Sequence, residues 1–410
     1  MKQAKLTISL FLNYFIFAIL LNSVGTVILQ VQKNFGVSET GASVLEGFKD
    51  LSIAISSFLI ASFIVRIGYK RAMQLALLMV TLMCLLMPSI PAFWSVKLLF
   101  ACIGVGFALI KITVFATIGL LVNNEKEHSS FMNYLESFFM IGVLTGGFIF
   151  AYFVDDTNPL STEWFKVYYL LGGLSLLALI LLSSSIIDES AIASAKQRRL
   201  SNDFVDMIKL IGLPVVLVFI VNAFLYVLIE QSIMSWLPTF NNKVLQLPTA
   251  LSIQMATILA ASTALGRFTA GVVLKKINWY LVVVVCLIVA AGLVLVSMPM
   301  ANAAKGKPVT GWSDAPLVAY LFPFIGFLLA PIYPAINSVI LSTLPKEKHA
   351  PMSGLIVVFS ALGGTTGSII TGTVFHHFDG QTAFYFSLIP IGILIVFLTL
   401  FRSIRNKMTV

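Results

Sequence analysis

Apolar stretches of helical length recur along the chain, separated by short polar breaks. They run near 6–30, 41–65, 72–92, 95–121, 129–154, 164–187, 209–238, 248–275, 279–299, 316–343, 350–377 and 381–403. A helix rises 1.5 Å per residue, so about 20 apolar residues cross the hydrocarbon core of a bilayer. Each stretch meets that length. The strands of a transmembrane barrel would instead show about 10 residues of alternating polarity. A helix also satisfies its own backbone hydrogen bonds, which lipid cannot do. The pattern predicts an all-α polytopic membrane protein with twelve transmembrane helices.

Composition agrees with the pattern. Of the 410 residues, 59% are hydrophobic and only 10% are Asp, Glu, Lys or Arg, against about 25% charged residues in soluble domains. Mean hydropathy is +0.98. A soluble enzyme, a disordered scaffold and a secreted disulfide framework are excluded. Cys84, Cys102 and Cys286 lie inside apolar runs and read as small core residues. The first apolar run starts at Leu6 and is too long for the apolar region of a signal peptide.

Charge sets the orientation. With both termini on the cytoplasmic side, the inner segments hold 17 Lys and Arg and the outer segments 6, with Lys49, Lys111 and Arg267 inside spans. That asymmetry is the positive-inside bias, and it accounts for the net charge of +9. Nucleic-acid binding would need an exposed basic surface on a soluble part, and the pattern leaves no such part.

The longest inner break, 188–208, divides the chain into a bundle over 1–187 and a bundle over 209–410. The halves echo one another. Gly106-Phe107-Ala108-Leu109 returns as Gly326-Phe327-Leu328-Leu329, and Lys126-Glu127-His128 as Glu347-Lys348-His349. Gly142 and Gly146 match Gly363 and Gly367 at the offset of 221 that also relates the two histidines. A constant offset predicts a parallel duplication, six helices plus six, with a pseudo-two-fold axis.

The link between spans two and three reads Ala61-Ser62-Phe63-Ile64-Val65-Arg66-Ile67-Gly68-Tyr69-Lys70-Arg71. It resembles the loop signature of the major facilitator superfamily, G-x-x-x-D-R-x-G-x-[RK]-[RK]. Arg66, Gly68, Lys70 and Arg71 match; Val65 stands where the family has its Asp and Ala61 where it has its first Gly. A degenerate second copy, Gly271-Val272-Val273-Leu274-Lys275-Lys276, lies at the same place in the second half. Within that family the chain resembles the fucose:proton symporter-like branch through Gly266-Arg267-Phe268-Thr269-Ala270-Gly271, Pro331-Ile332-Tyr333-Pro334-Ala335-Ile336 and Gly363-Gly364-Thr365-Thr366-Gly367. The resemblance implies the facilitator fold, a gating role for the 66–71 loop, a monomer, and sugar uptake driven by a proton or sodium gradient without a cofactor.

Charged side chains within spans are costly, roughly 2.5–3.5 kcal/mol at the bilayer centre on insertion scales, so they face water or pair with one another. Seven stand there: Glu46, Lys49, Asp50, Lys111, Glu136, Glu230 and Arg267. Glu46, Lys49 and Asp50 share one helix face, which suits a polar cavity wall or an outer gate. Lys111 and Glu136 sit at similar depth on consecutive spans. Glu136 is the first candidate for a coupling proton, with Glu46 and Asp50 behind it, and Lys111 would set its pKa or bind a substrate oxygen. The matching positions in the second half are Pro331 and Val357, so the charged site is asymmetric.

Asn222, Tyr226 and Glu230 recur every four residues in span seven, followed by Gln231 and then Trp236. An amide, a phenol and a carboxylate on one stripe suit a hydroxyl-rich ligand. Trp236, near the span's outer end, reads as an interface anchor. Arg267 could neutralise an acid or bind an anion, and Asn22, Gln254 and Asn337 are further candidates to line the cavity. His376 and His377 have no acid cluster near them in sequence, so no metal site is expected. No H-E-x-x-H, G-x-S-x-G or phosphate-binding loop is present, which argues against an enzyme or an ATP-driven pump. The expectation is a secondary transporter of the bacterial inner membrane, proton-coupled, carrying a sugar or sugar derivative. A drug, metabolite or organic-anion exporter on the same scaffold is the alternative.

Overall fold

The computed structural model describes residues 2–121, 125–187, 189, 208–274, 276–304, 306, 309–344 and 348–409. The expected linker, 188–208, thus falls outside them apart from residues 189 and 208. Among the described residues every regular element is helical. The first half runs α1 (Lys2–Asn22), α2 (Val24–Phe35), α3 (Glu39–Ile67), α4 (Tyr69–Leu86), α5 (Phe93–Leu121), α6 (Glu125–Tyr152) and α7 (Val167–Ser183). The second runs α8 (Pro214–Met234), α9 (Leu237–Lys243), α10 (Thr249–Val273), α11 (Trp279–Ala304), α12 (Leu317–Leu321), α13 (Ile325–Leu329), α14 (Ile332–Thr343), α15 (His349–His377), α16 (Gly380–Tyr385) and α17 (Leu388–Thr409).

Among the described residues, ten stretches are long and apolar enough to cross a membrane. Helices α3 and α6 are of bilayer-spanning length as well, although some of their side chains lie outside the described residues. Helix α3 carries Glu46, Lys49 and Asp50, and α6 includes the apolar stretch Phe138–Tyr152. Twelve crossings are consistent with the whole.

Several predicted spans are broken helices. Span one stops at Asn22 and resumes at Val24, and span seven stops at Met234 and resumes at Leu237. Span ten is divided among α12, a short 3₁₀ turn at Phe322–Phe324, α13 and α14. Pro323 and Pro331 explain the last case, since each removes a backbone donor and crowds the preceding turn.

The chain packs as two units. One is Met1–Val24 with Phe48–Leu200; the other is Gly25–Gly47 with Ser201–Val410. In the first, α1 packs on α5, α6 and α7, and α4 on α5 and α7. Ser9 Oγ donates to the Ala178 carbonyl at 3.1 Å and Thr81 to Ser175 at 2.9 Å, so small hydroxyls join helices inside an apolar core. In the second, α8 packs on α15 and α17, and α10 on α9 and α13.

The glycine repeat has a structural counterpart. A Cβ on Gly142 would stand 2.6 Å from the Phe15 carbonyl oxygen, and a Cβ on Gly363 would strike the backbone of Phe224. The fifth helix of the first half thus closes on α1 as the fifth of the second half closes on α8. Gly68 is different. Its φ of +86° needs a residue without a Cβ, and a Cβ there would also lie 2.6 Å from Glu189 Oε2.

Candidate functional site

In the second unit, four helices bring a polar cluster together. Tyr226 of α8 donates its hydroxyl to Glu230 Oε1 at 2.8 Å, one turn along the same helix. Its ring stacks on Tyr333 of α14, with centroids 5.5 Å apart and an interplanar angle of 22°. The Tyr333 hydroxyl shares a hydrogen bond of 2.9 Å with Ser360 Oγ of α15. Asn337, one turn beyond Tyr333, hydrogen-bonds the same phenol, while its Oδ1 is buried without a hydrogen-bond partner among the described residues. Arg267 of α10 is close enough for its charge to act on Tyr226 and is itself exposed. The break before Ile332 starts α14 in this neighbourhood. Phenols, a serine and an amide can each donate and accept, which is what hydroxyl groups of a ligand require.

A second polar group in this unit surrounds Glu46, whose side chain is 0% exposed. Ser235 Oγ donates to Glu46 Oε2 at 2.9 Å and lies 3.3 Å from Gln231 Oε1. Ser235 sits in the gap between α8 and α9, where the helix ladder is interrupted. A Cβ on Gly25 would come 2.7 Å from the Ser235 carbonyl oxygen, so only a glycine allows this approach. Trp236, next in the gap, is also 0% exposed, donates to Ser368 Oγ at 3.1 Å and stacks on Phe375 at 5.4 Å.

Glu39, the first residue of α3, precedes its apolar span. Lys243 Nζ reaches Glu39 Oε1 at 2.5 Å and His376 Nδ1 lies 3.0 Å from Oε2. Burial opposes ionisation of Glu39, yet these hydrogen bonds outweigh it and hold the carboxyl below its usual range. A cavity of about 230 Å³ opens beside the three-way contact, lined by Glu39, Lys243, Phe375, Asp379 and Gln381 among others.

The first unit holds different chemistry. Lys49 and Asp50 form a buried ion pair at 3.5 Å. Lys111 is exposed, with its ammonium 5.7 Å from the Phe107 ring centroid. The 66–71 loop is tied to the end of α7. Glu189 accepts from the Lys70 backbone N–H at 2.7 Å, capping the start of α4. Lys70 Nζ donates to the carbonyls of Ser183 at 3.0 Å and Ser185 at 2.7 Å, which places a cation at a helix C-terminus.

The Major Facilitator Superfamily profile matches residues 8–364. The chain belongs to the major facilitator superfamily. Solved structures with the same fold include a D-xylose-proton symporter, at 13% identity and TM-score 0.73, covering 97% of each chain. The nucleoside transporter NupG follows at 14% identity and TM-score 0.74, covering 97% of this chain and 98% of that one. A bacterial homologue of the human lysosomal transporter Spinster shows 14% identity and TM-score 0.70, covering 100% of this chain and 97% of that one. Among curated proteins, none matches the sequence. This facilitator is therefore a multi-pass membrane protein of a carrier family, and a small-molecule substrate goes with that family.

The residues expected to form the facilitator's site divide into three groups. Tyr226, Glu230, Arg267 and Asn337 gather in one cluster, and Glu46 joins Gln231 through Ser235. Others are occupied elsewhere. Asn222 is fully buried and donates to the carbonyls of Val218 at 2.8 Å and Phe397 at 3.3 Å, so it binds α8 to α17 rather than extending the stripe. Asn22 bonds back to the Ala18 carbonyl at 2.9 Å, and Gln254 accepts from Trp312 Nε1 at 2.9 Å. Trp236 is no interface anchor, because the helix break turns it inward onto Phe375. The side chains of Glu136 and Arg66 lie outside the described residues; Arg71 is exposed.

Four residues escaped the sequence reading: Tyr333, Ser360, Ser235 and Glu189. Tyr333 lies in the segment Pro331–Ile336, where two prolines within an apolar span signal an irregular backbone. Ser235 and Ser360 carry no local signal, since serine is common in membrane helices as a packing residue. Glu189 follows span six directly, and its partner lies more than a hundred residues away.

Proposed function

We propose that this facilitator is a secondary active transporter that carries a small polar solute, a sugar or sugar derivative, in symport with protons. It would work by alternating access as a monomer in the bacterial inner membrane, with both termini cytoplasmic and the bundles 1–187 and 209–410 as its moving bodies. The observation that carries the reading is the Tyr226–Glu230, Tyr333–Ser360 and Asn337 cluster, where hydroxyl, carboxylate and amide groups converge inside apolar spans. Such groups cost free energy in a membrane unless they serve a polar path. The preference for sugars follows the motifs shared with the fucose:proton symporter-like branch and the presence of a xylose symporter among the fold's relatives.

For the coupling site Glu46 stands first and Glu136 and Asp50 beside it; Glu46 combines complete burial with a hydrogen bond from a helix break. Sodium is the alternative coupling ion. The test is uptake of radiolabelled monosaccharides into proteoliposomes under an imposed pH gradient, then under a sodium gradient. Accumulation driven by the pH gradient supports the reading, and solute flux unaffected by either gradient overturns coupled transport.

The aromatic surroundings of Lys111 favour a second reading, an exporter of amphipathic drugs, metabolites or organic anions. Substrate-stimulated proton release from right-side-out vesicles, without sugar uptake, would select it.

A further inference from the structure

We infer that Glu39, Lys243 and His376 form a proton-operated latch, which holds the segment Gly25–Gly47 against α9 and α15 more firmly when His376 is protonated. By chain order this segment belongs to the first six spans, yet it packs with the second unit. It comprises α2, a turn in which Gly36 takes a φ of +61°, and the first turns of α3. Lys33 of α2 donates to Thr249 Oγ1, at the start of α10, at 2.6 Å. A Cβ on Gly372 of α15 would come 2.8 Å from the Glu39 carbonyl oxygen and 2.9 Å from Ser43 Cβ, so the start of α3 lies directly on the α15 backbone. The proposed orientation, with both termini cytoplasmic, turns this end outward, and the proton then comes from the external medium.

At this contact one carboxylate takes two partners. Lys243 Nζ of α9 reaches Glu39 Oε1 at 2.5 Å, and His376 Nδ1 of α15 lies 3.0 Å from Oε2. Glu39 is held ionised below the usual carboxylate range although burial opposes this. An ionised carboxylate can only accept, so His376 presents Nδ1–H to it. The neutral ring makes that bond without charge. The protonated ring makes it with a full charge, and a charge-assisted hydrogen bond is about twice as strong. Of the three residue types only histidine ordinarily changes charge between about pH 5 and pH 8. The His376 side chain is 45% exposed, so protons reach it from water, whereas Glu39 is only 15% exposed, so its charge stays directed at its partners.

The charged groups on the surrounding elements set the sign. Asp379, which caps the start of α16, lines the cavity beside Glu39 and Lys243. With His376 neutral, Lys243 cancels Glu39 and Asp379 leaves one negative charge. A proton on His376 brings the group to balance, two cations against two carboxylates. Lys243 opposes that proton, but it sits on the other oxygen of Glu39. His377, its ring centroid 5.1 Å from that of His376, also opposes it when charged, and its exposure lets water and salt screen the repulsion. Lys33 of α2 is directed to Thr249. The latch is therefore tighter in acid and looser as pH rises through the range in which His376 loses its proton.

Hydrogen–deuterium exchange of the purified full-length protein tests the latch. It is read on peptides within 25–47 at about pH 5.5 and about pH 8, with labelling times scaled to the intrinsic amide rates. The segment should exchange roughly two- to fivefold more slowly at the acidic pH, the range that a partly exposed ion pair supplies. His376→Asn should show the faster rate at both pH values and His376→Arg the slower rate at both. His377→Asn should keep the wild-type difference. The two wild-type measurements read the latch by themselves, so a variant that fails to fold does not remove the test. Equal scaled exchange in the wild type at both pH values overturns the inference. So does a difference that persists in His376→Asn, or one that disappears in His377→Asn. No solute is added, so the result stands apart from the sugar reading: absence of sugar uptake in proteoliposomes leaves the latch standing, and a failed latch leaves sugar uptake standing.

Discussion

Ser235 hands its hydroxyl hydrogen to Glu46 across 2.9 Å, and both side chains are closed off from solvent. The donor sits in the gap between α8 and α9; the acceptor lies on α3, in the segment Gly25–Gly47 that packs with the C-terminal unit. The bond therefore joins residues 189 positions apart in sequence.

Glu46→Gln should uncouple solute movement from the proton gradient. Glutamine keeps an oxygen for Ser235 and removes the acid function. One pH unit stores about 1.4 kcal/mol per proton, enough for about tenfold accumulation in a one-to-one symporter. The variant should lose that accumulation in proteoliposomes yet retain solute exchange at equal concentrations. Wild-type accumulation in the variant would reduce Glu46 to a packing role and shift attention to Glu136.

The close helix approaches can be tested by adding a methyl group. Gly142→Ala and Gly363→Ala would each push a Cβ into a neighbouring backbone, Phe15 in one case and Phe224 in the other. Overpacking of this kind costs about 1–3 kcal/mol. Both variants should melt below the wild type in detergent. Gly292→Ala is the control, since a Cβ there meets nothing within 4 Å and alanine is the better helix former by roughly 1 kcal/mol. It should melt at or above the wild-type temperature.

Much of this architecture was legible in the residues. The twelve apolar runs became helices because a bilayer-length run has no other way to satisfy its backbone. Glu46 could be flagged from cost alone, as could Lys111. What was not legible was where broken helices point their side chains. Asn222, Tyr226 and Glu230 share a stripe on paper, yet Asn222 turns to the Phe397 carbonyl, because an amide in an apolar core takes the nearest acceptor. Trp236 looked like an anchor at a span's end until the break after Met234 folded it inward. Ser235 and Ser360 acquire their importance only from partners on other helices, which no local pattern records.

Glu39 makes a pH prediction with a definite sign. Its folded carboxyl is held below the usual range although burial works against this, through hydrogen bonds from Lys243, from its own backbone N–H and from His376. A group with a depressed folded pKa stabilises the native state above its unfolded pKa, near 4.3 for glutamate. That contribution declines as pH falls through the unfolded value and is gone below the folded one. Glu39→Gln should therefore melt below the wild type at pH 7, with the gap narrowing towards pH 3. A gap constant across that range would remove the ionic contact as the cause.

Tyr333→Phe isolates one hydroxyl of the polar cluster. The substitution keeps the ring and hence the stack on Tyr226 at 5.5 Å, and it removes the oxygen shared with Ser360 and Asn337. If that hydroxyl only braces the helices, the cost is a hydrogen bond of about 0.5–1.5 kcal/mol in stability, with solute affinity unchanged. If it contacts solute, the same energy appears in binding as a weakening of roughly two- to tenfold. Asn337→Ala complements this variant, removing the amide that hydrogen-bonds the same phenol together with a buried Oδ1 that has no hydrogen-bond partner among the described residues. The expected result is weakened solute binding in both variants, with Tyr333→Phe melting within a few degrees of the wild type. Unchanged affinity in both, measured by equilibrium binding of the solute that the uptake assay identifies, would move the recognition surface away from α14.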